Sequence, residues 1–225
     1  MDTLNCDELT TRQINERLRN LPDGSKVFVS QPRGKHSLAV GLTNRIEIII
    51  DGNAGYYIGG LGDGPDITVL GFVGWGVGEN LMSGTIRVHG NASESAGSSA
   101  HGGLIVVEGD SSLRTGISLK GGTIAVAGDV GAMSAFMAQA GTILVGGNAG
   151  DALGDSLYEA TIYVGGEIRS LGSDARVEDL TEADVLIVKD LAALAGFDHI
   201  EPENVKKVAS AKQLYNFDAV KASKY

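Results

Sequence analysis

The chain has 225 residues, 43% hydrophobic and 20% charged, enough for one large domain or two modest ones with a real core. Its net charge of −10 argues against a nucleic-acid partner, since phosphate backbones are held by clustered Lys and Arg. No apolar run reaches the ~20 residues of a membrane helix, the first residues lack a secretory signal's basic start and apolar core, and the single cysteine, Cys6, excludes an internal disulfide framework; a cytoplasmic, membrane-free protein is expected.

Residues 1–45 read as an N-terminal cap. Within them, residues 1–21 fit a short amphipathic helix: Thr10 with Gln13 forms a capping-box-like start, and Ile14, Leu18 and Leu21 fall at helical spacing. Pro22, Asp23, Gly24 and Ser25 make a turn, Lys26 to Ser30 (KVFVS) a strand, and Gln31 to Lys35 a loop. Residues 36–42 read as a second strand leading inward. A cap is the function expected of this segment, because stacked coils leave an open apolar end.

From residue 46 to 171 the chain repeats. Gly52, Gly71, Gly90, Gly109, Gly128, Gly147 and Gly166 each stand 19 residues after the last. Four residues before each stands an isoleucine, from Ile48 to Ile162, and two residues before stands Ile50 or a valine. Apolar residues two apart mark a strand with one buried face, and the variable residues between them (Thr68, Arg87, Val106, Ala125, Leu144, Tyr163) read as its outward face. No unit can bury its own stripe alone. The register therefore predicts an all-β chain whose main body is a parallel β-helix of about seven 19-residue coils, capped by short helices at both ends.

Glycine, 33 of 225 residues, is about twice its usual ~7% and sorts by the same register. The pattern G-x-x-G-x-x-x-G appears in full at Gly52, Gly55, Gly59, at Gly71, Gly74, Gly78 and at Gly147, Gly150, Gly154. Gly90 with Gly97, Gly109 with Gly116, and Gly128 with Gly131 keep two of the three, and Gly166 starts the last unit. These positions are expected to be corners needing positive φ or close backbone approach. Asn53, Asn91, Asp110, Asp129 and Asn148, each one residue after the first glycine, are expected to stack into a side-chain ladder.

After residue 171 the register fails, and residues 172–225 read as C-terminal helices and a tail. Thr181 with Asp184 marks a helix start, Val185, Val188, Leu191, Ala192 and Ala195 share a face, and Gly196 ends the helix. Pro202 is expected to open a second helix to about Ser210, followed by a docked or extended tail carrying Tyr215 and Phe217.

Few of these residues suggest chemistry. Gly74-Trp75-Gly76-Val77-Gly78 lacks G-x-G-x-x-G spacing, and no G-K-[ST] is present for a phosphate loop. Gly59 to Gly64 resembles one calcium-binding nonapeptide but does not recur every nine residues. Hexapeptide acyltransferase coils are multiples of six; six steps of 18 give 108, whereas this chain shows 114. His36, His89, His101 and His199 show no metal-ligand spacing. Arg87 beside His89 is the single hint of an outer-face active site, and Trp75 with Tyr56, one coil apart, marks either a cap contact or a partner surface. No catalytic, cofactor-binding or metal residue is assigned.

The glycine coils resemble the GXGXG domain at the C-terminus of glutamate synthase large subunits, a right-handed parallel β-helix; the β-helix subunit of formylmethanofuran dehydrogenase is similar over the same region. Four stretches carry a resemblance over nearly the whole chain to the β-helix subunits of N-methylglutamate synthases. They are GNAGYYIGG, SGTIRVHGNAS, ISLKGGTIAVAGDVG and LAGFDHIEPENVKKVASAKQLYNFD. The resemblance implies a non-catalytic scaffold in a hetero-oligomer. There it would hold an amidotransferase-like subunit against a synthase subunit carrying FMN and an iron–sulfur cluster. The implied overall reaction is glutamate plus methylamine giving N-methylglutamate plus ammonia. A glutamate synthase or formylmethanofuran dehydrogenase complex, and a free-standing β-helix enzyme, are the alternatives.

Overall fold

The computed structural model describes residues 2–212, so the expected tail with Tyr215 and Phe217 lies outside the described residues. A single strand per unit builds the body. Strands β1 (Asp2–Asn5), β2 (Lys26–Ser30), β3 (Glu47–Asp51) and β4 (Asp63–Val69) stack in parallel, each on its sequence neighbour. The ladder continues in parallel through β5 (Ser83–Val88), β6 (Leu104–Val107), β7 (Lys120–Val126), β8 (Ala140–Val145) and β9 (Thr161–Val164). Ile48, Ile67, Ile86, Ile105, Ile124, Ile143 and Ile162 lie in one column, each opposite the next. A second parallel column of isolated bridges runs from Val73 through Ala92, Ser111, Val130 and Ala149 to Ile168. The result is the expected parallel β-solenoid of about seven turns.

Each coil closes on a filled interior. The strand Ile and Val, the bridge residue, and Leu81, Ala100, Leu119, Ala138 and Leu157 form one buried cluster. A further inward column, six residues after the first glycine, holds Ile58, Val77, Ala96, Thr115, Ser134 and Leu153, all buried. Three polar side chains enter this interior and are satisfied there: the Ser111 and Thr115 hydroxyls lie 2.6 Å apart, and Ser134 Oγ donates to the Gly131 carbonyl at 2.8 Å.

The corners use left-handed backbone at three alternating positions. Gly59, Gly78, Gly97, Gly116 and Gly154 have φ of +66° to +70°, and Ala135 takes the same place at +60°. Two residues to either side, Tyr57, Ser95, Arg114 and Met133, and Leu61, Asn80, Ser99, Ser118 and Met137, also have positive φ. Gly55, Gly74, Gly131 and Gly150 are not left-handed; they are crowded. A Cβ on Gly150 would stand 2.7 Å from the Ala132 nitrogen and 2.8 Å from the Gly131 carbonyl carbon.

The first residues differ from the sequence reading. The helix is shorter than residues 1–21: α1 covers Thr11–Arg19, starts on the Thr10–Gln13 capping box, and buries Ile14 and Leu18 in the core. Strand β1 precedes it. Residues 36–42 form a corner rather than a strand: Ser37, Ala39 and Gly41 have positive φ, 20 residues ahead of Tyr57, Gly59 and Leu61. With β2 pairing 21 residues ahead of β3 (Val27 to Ile48), this is one more coil of unequal length. Asn15 ties α1 to it, donating to the Ser37 carbonyl and accepting the Ala39 N–H, both at 2.7 Å.

At the other end, β10 (Ala175–Glu178) leads into α2 (Glu182–Ala195). The Thr181–Asp184 capping box and left-handed Gly196 bound α2 as expected. The predicted helix after Pro202 is a single 3₁₀ turn, Pro202–Asn204, because the chain then extends as β11 (Lys206–Ser210). β11 runs antiparallel on β9 and carries β10 on its far edge, so the last coil's open ladder is paired within the chain.

Candidate functional site

The outward face of the strands splits in two. In the last four coils Val106, Ala125, Leu144 and Tyr163 are buried beneath Val188, Ala192 and Ala195 of α2, with Phe197, Ile200 and Val205 completing a second apolar cluster. This face meets the chain's own helix. A polar clasp holds each end of the contact. At the α2 N-terminus, Tyr163 Oη donates to Asp184 Oδ1 at 2.6 Å, and Lys207 Nζ and Thr181 Oγ1 reach Oδ2 at 3.1 and 2.6 Å. Burial by itself would raise the Asp184 carboxyl; the bonds from the Thr181 hydroxyl, Tyr163, the Thr181 N–H and Lys207 together outweigh it and hold the group well below the usual carboxylate range. Tyr163 is driven the other way, above an ordinary phenol, by burial and by its carboxylate partner.

At the α2 C-terminus, Arg87 donates to the Ala195 carbonyl at 2.9 Å and pairs with Glu108 at 3.1 Å. A cation there complements the negative end of the helix dipole. His89 Nδ1 lies 3.1 Å from the other Glu108 oxygen. The structure therefore does bring Arg87 and His89 together, through a carboxylate, with the guanidinium engaged by helix carbonyls.

The remaining histidines are dispersed. His36 stacks on Tyr56 with ring centroids 4.3 Å apart and accepts the Tyr56 N–H on Nδ1. His199 Nε2 sits 3.1 Å from the Ala127 carbonyl, and His101 is an exposed corner. Among the described residues no group of three or more His, Cys, Asp or Glu side chains is placed to hold a metal ion, and no helix is long and apolar enough to cross a membrane.

The other outward feature is an apolar surface on the first two coils. Seven of the 13 exposed large apolar side chains among the described residues fall between residues 56 and 82: Tyr56, Tyr57, Leu61, Leu70, Phe72, Trp75 and Met82. Trp75 extends the His36–Tyr56 stack at 5.3 Å from Tyr56, so three coils contribute one ring each. An open groove of about 780 Å³ runs beside them, lined by Tyr56, Leu70, Phe72 and Trp75 together with Asn53, His89, Asn91 and Ser93. The Tyr56–Trp75 pairing follows from register; the contribution of Leu70 and Phe72 becomes visible only once the coil places them beside it.

The ladder one residue past the first glycine is also present, in a side-chain-to-backbone form. Each Asn or Asp Oδ1 accepts the N–H of the equivalent residue in the next coil: Asp110 on Asn91, Asp129 on Asp110, Asn148 on Asp129 and Glu167 on Asn148, at 2.6–2.9 Å. Asn53 does the same for Phe72 at 3.2 Å. The accepting oxygen occupies the space a Cβ would need at Gly71, Gly109, Gly128, Gly147 and Gly166, which explains the glycine there.

No family model matches the chain. Among curated proteins it is similar to Protein GlxC of Rhizobium meliloti (strain 1021), 42% identical over 78 residues. That stretch is 33% of this chain and 34% of that protein, so the similarity spans about a third of each.

Proposed function

We propose that the chain is a non-catalytic scaffold subunit of an N-methylglutamate synthase-type complex, holding an amidotransferase-like subunit against a flavin and iron–sulfur synthase subunit. One observation carries the reading: a filled, continuously hydrogen-bonded solenoid bears a concentrated apolar surface on its first coils, apart from the face its own helix covers. A rigid body with an uncovered aromatic patch suits holding other proteins in fixed relation. Arg87, engaged with the C-terminal carbonyls of α2 and with Glu108, has a structural task in this reading. The partial similarity to Protein GlxC and the GXGXG coils support placement among glutamate synthase-like subunits. In the complex, glutamate and methylamine yield N-methylglutamate and ammonia, and FMN and the cluster belong to the partner.

The test is reconstitution. The two partner subunits, with and without this chain, are assayed for methylamine-dependent N-methylglutamate. Turnover is expected only from the complete set, with none from this chain alone. Product formed by the lone chain would replace the scaffold with an enzyme.

A further inference from the structure

We infer that the Phe72 face of the first two coils is a protein-docking surface. Its occupant is a partner subunit presenting an apolar anchor flanked by Lys and Arg side chains. This inference rests on the scaffold reading and adds to it where and by what chemistry one partner is held.

The argument starts from a broken rule. In coil after coil the residue following the first glycine supplies a carbonyl or carboxylate oxygen to the next coil's backbone N–H. Phe72 occupies that place in the second coil and has no acceptor, so the rung at Asn91 is missing. The residue is instead 54% exposed. A position that gives up a hydrogen bond and shows an aromatic ring to water is locally inconsistent with its fold, and such inconsistency points to function. Leu70, Tyr56 and Trp75 are exposed around it, the tryptophan at 47%. Aromatic anchors of this kind dominate protein interfaces.

Charge selects the occupant. Beyond Phe72 the same exposed column continues as Asn91, Asp110, Asp129, Asn148 and Glu167. Asp110 and Asp129 each commit Oδ1 to a rung, leaving the carboxylate's charge on the outer face. Glu94 follows Trp75 in the neighbouring column, and the chain as a whole carries −10. Apolar at one end and carrying the carboxylates of Asp110 and Asp129 beyond it, with Glu167 at the far end paired to Lys206 at 3.0 Å, the face complements a surface that is apolar and basic.

The experiment uses the full chain with its two partner subunits. Phe72→Asn restores the rung, so its thermal midpoint is expected to rise by about 2–4 °C while affinity for one partner falls at least tenfold. Asp110→Asn together with Asp129→Asn keeps both rungs but removes their charge; association at low salt is expected to slow about tenfold and its salt dependence to weaken. The chain has a single tryptophan, so labelling it with 5-fluorotryptophan gives one fluorine resonance, expected to shift when the complex forms. Unchanged assembly by Phe72→Asn, or an unmoved resonance in a formed complex, overturns the docking surface and leaves the scaffold standing. A resonance that shifts with this chain's own concentration assigns the face to a second copy and overturns it as well. Wild-type chain that binds neither subunit overturns both readings.

Discussion

Asp184 shows how much one buried carboxylate can organise: four donors from Thr181, Tyr163 and Lys207 converge on it, joining helix α2, solenoid strand β9 and closing strand β11. Its folded pKa is depressed, so its contribution is complete above the unfolded value of about 4 and is lost as pH falls below it. Tyr163 is raised, so its contribution is complete below about pH 10 and is lost as pH rises beyond it. Tyr163→Phe is therefore expected to cost about 1–3 kcal/mol at pH 7, the gap to wild type narrowing outside that window; urea denaturation at pH 3, 7 and 11 checks it. Glycines give a second residue-scale prediction. Gly150→Ala drives a Cβ into backbone and should destabilise by more than Gly24→Ala, whose Cβ meets nothing within 4 Å and costs only the left-handed penalty of about 1–2 kcal/mol. Gly59, Gly78, Gly97, Gly116 and Gly154 were legible because left-handed backbone favours Gly. Left-handed Tyr57, Ser95, Arg114 and Met133 were not, since side chains of every kind occupy that place and no residue type marks it.

Helix α2 is the element that decides which face of the solenoid remains open. Its buried stripe of Val188, Ala192 and Ala195 was readable from spacing, but not its landing site, because Val106, Ala125, Leu144 and Tyr163 alternate with the core residues as any outward strand face does. Their growing apolar character toward the C-terminus was the available signal. Ala125→Glu puts a charge into this dry contact and is expected to detach the helix while leaving the coils folded. Hydrogen exchange should then show residues 182–195 losing protection and β6 to β8 keeping it. The coil ahead of the 19-residue register shows a different limit. Its strand β2 was found from its alternation, yet residues 36–42 were read as a strand because the coil is 20–21 residues long and falls outside a 19-residue register. Likewise Pro202 signalled a helix start, and the edge of β9, which draws residues 206–210 into a strand, is a demand of tertiary pairing that local sequence does not carry.

At the scale of the molecule one apolar cluster runs from Leu4 to Val208, so the coils stabilise one another through shared interfaces. Removing a whole unit should then be tolerated. Deletion of residues 52–70 takes out 19 positions and joins Asp51 to Gly71 in register; a cooperatively melting protein is expected, whereas deleting residues 52–69 leaves a 20-residue coil at the junction, whose extra residue must bulge out of the ladder, and should melt at a lower temperature. The 19-residue repeat and the solenoid architecture were thus legible, because a register leaves its mark on every unit that keeps it, whereas the 20–21-residue coil ahead of it was not. The aromatic surface was legible only in its Tyr56–Trp75 pair, and its occupant is a matter of the partner's chemistry. Native mass spectrometry of this chain mixed with the amidotransferase-like and flavin-dependent subunits tests the scaffold most directly. The expected result is a complex containing all three that falls apart when this chain is omitted. Partners that assemble equally well without it would contradict the scaffold.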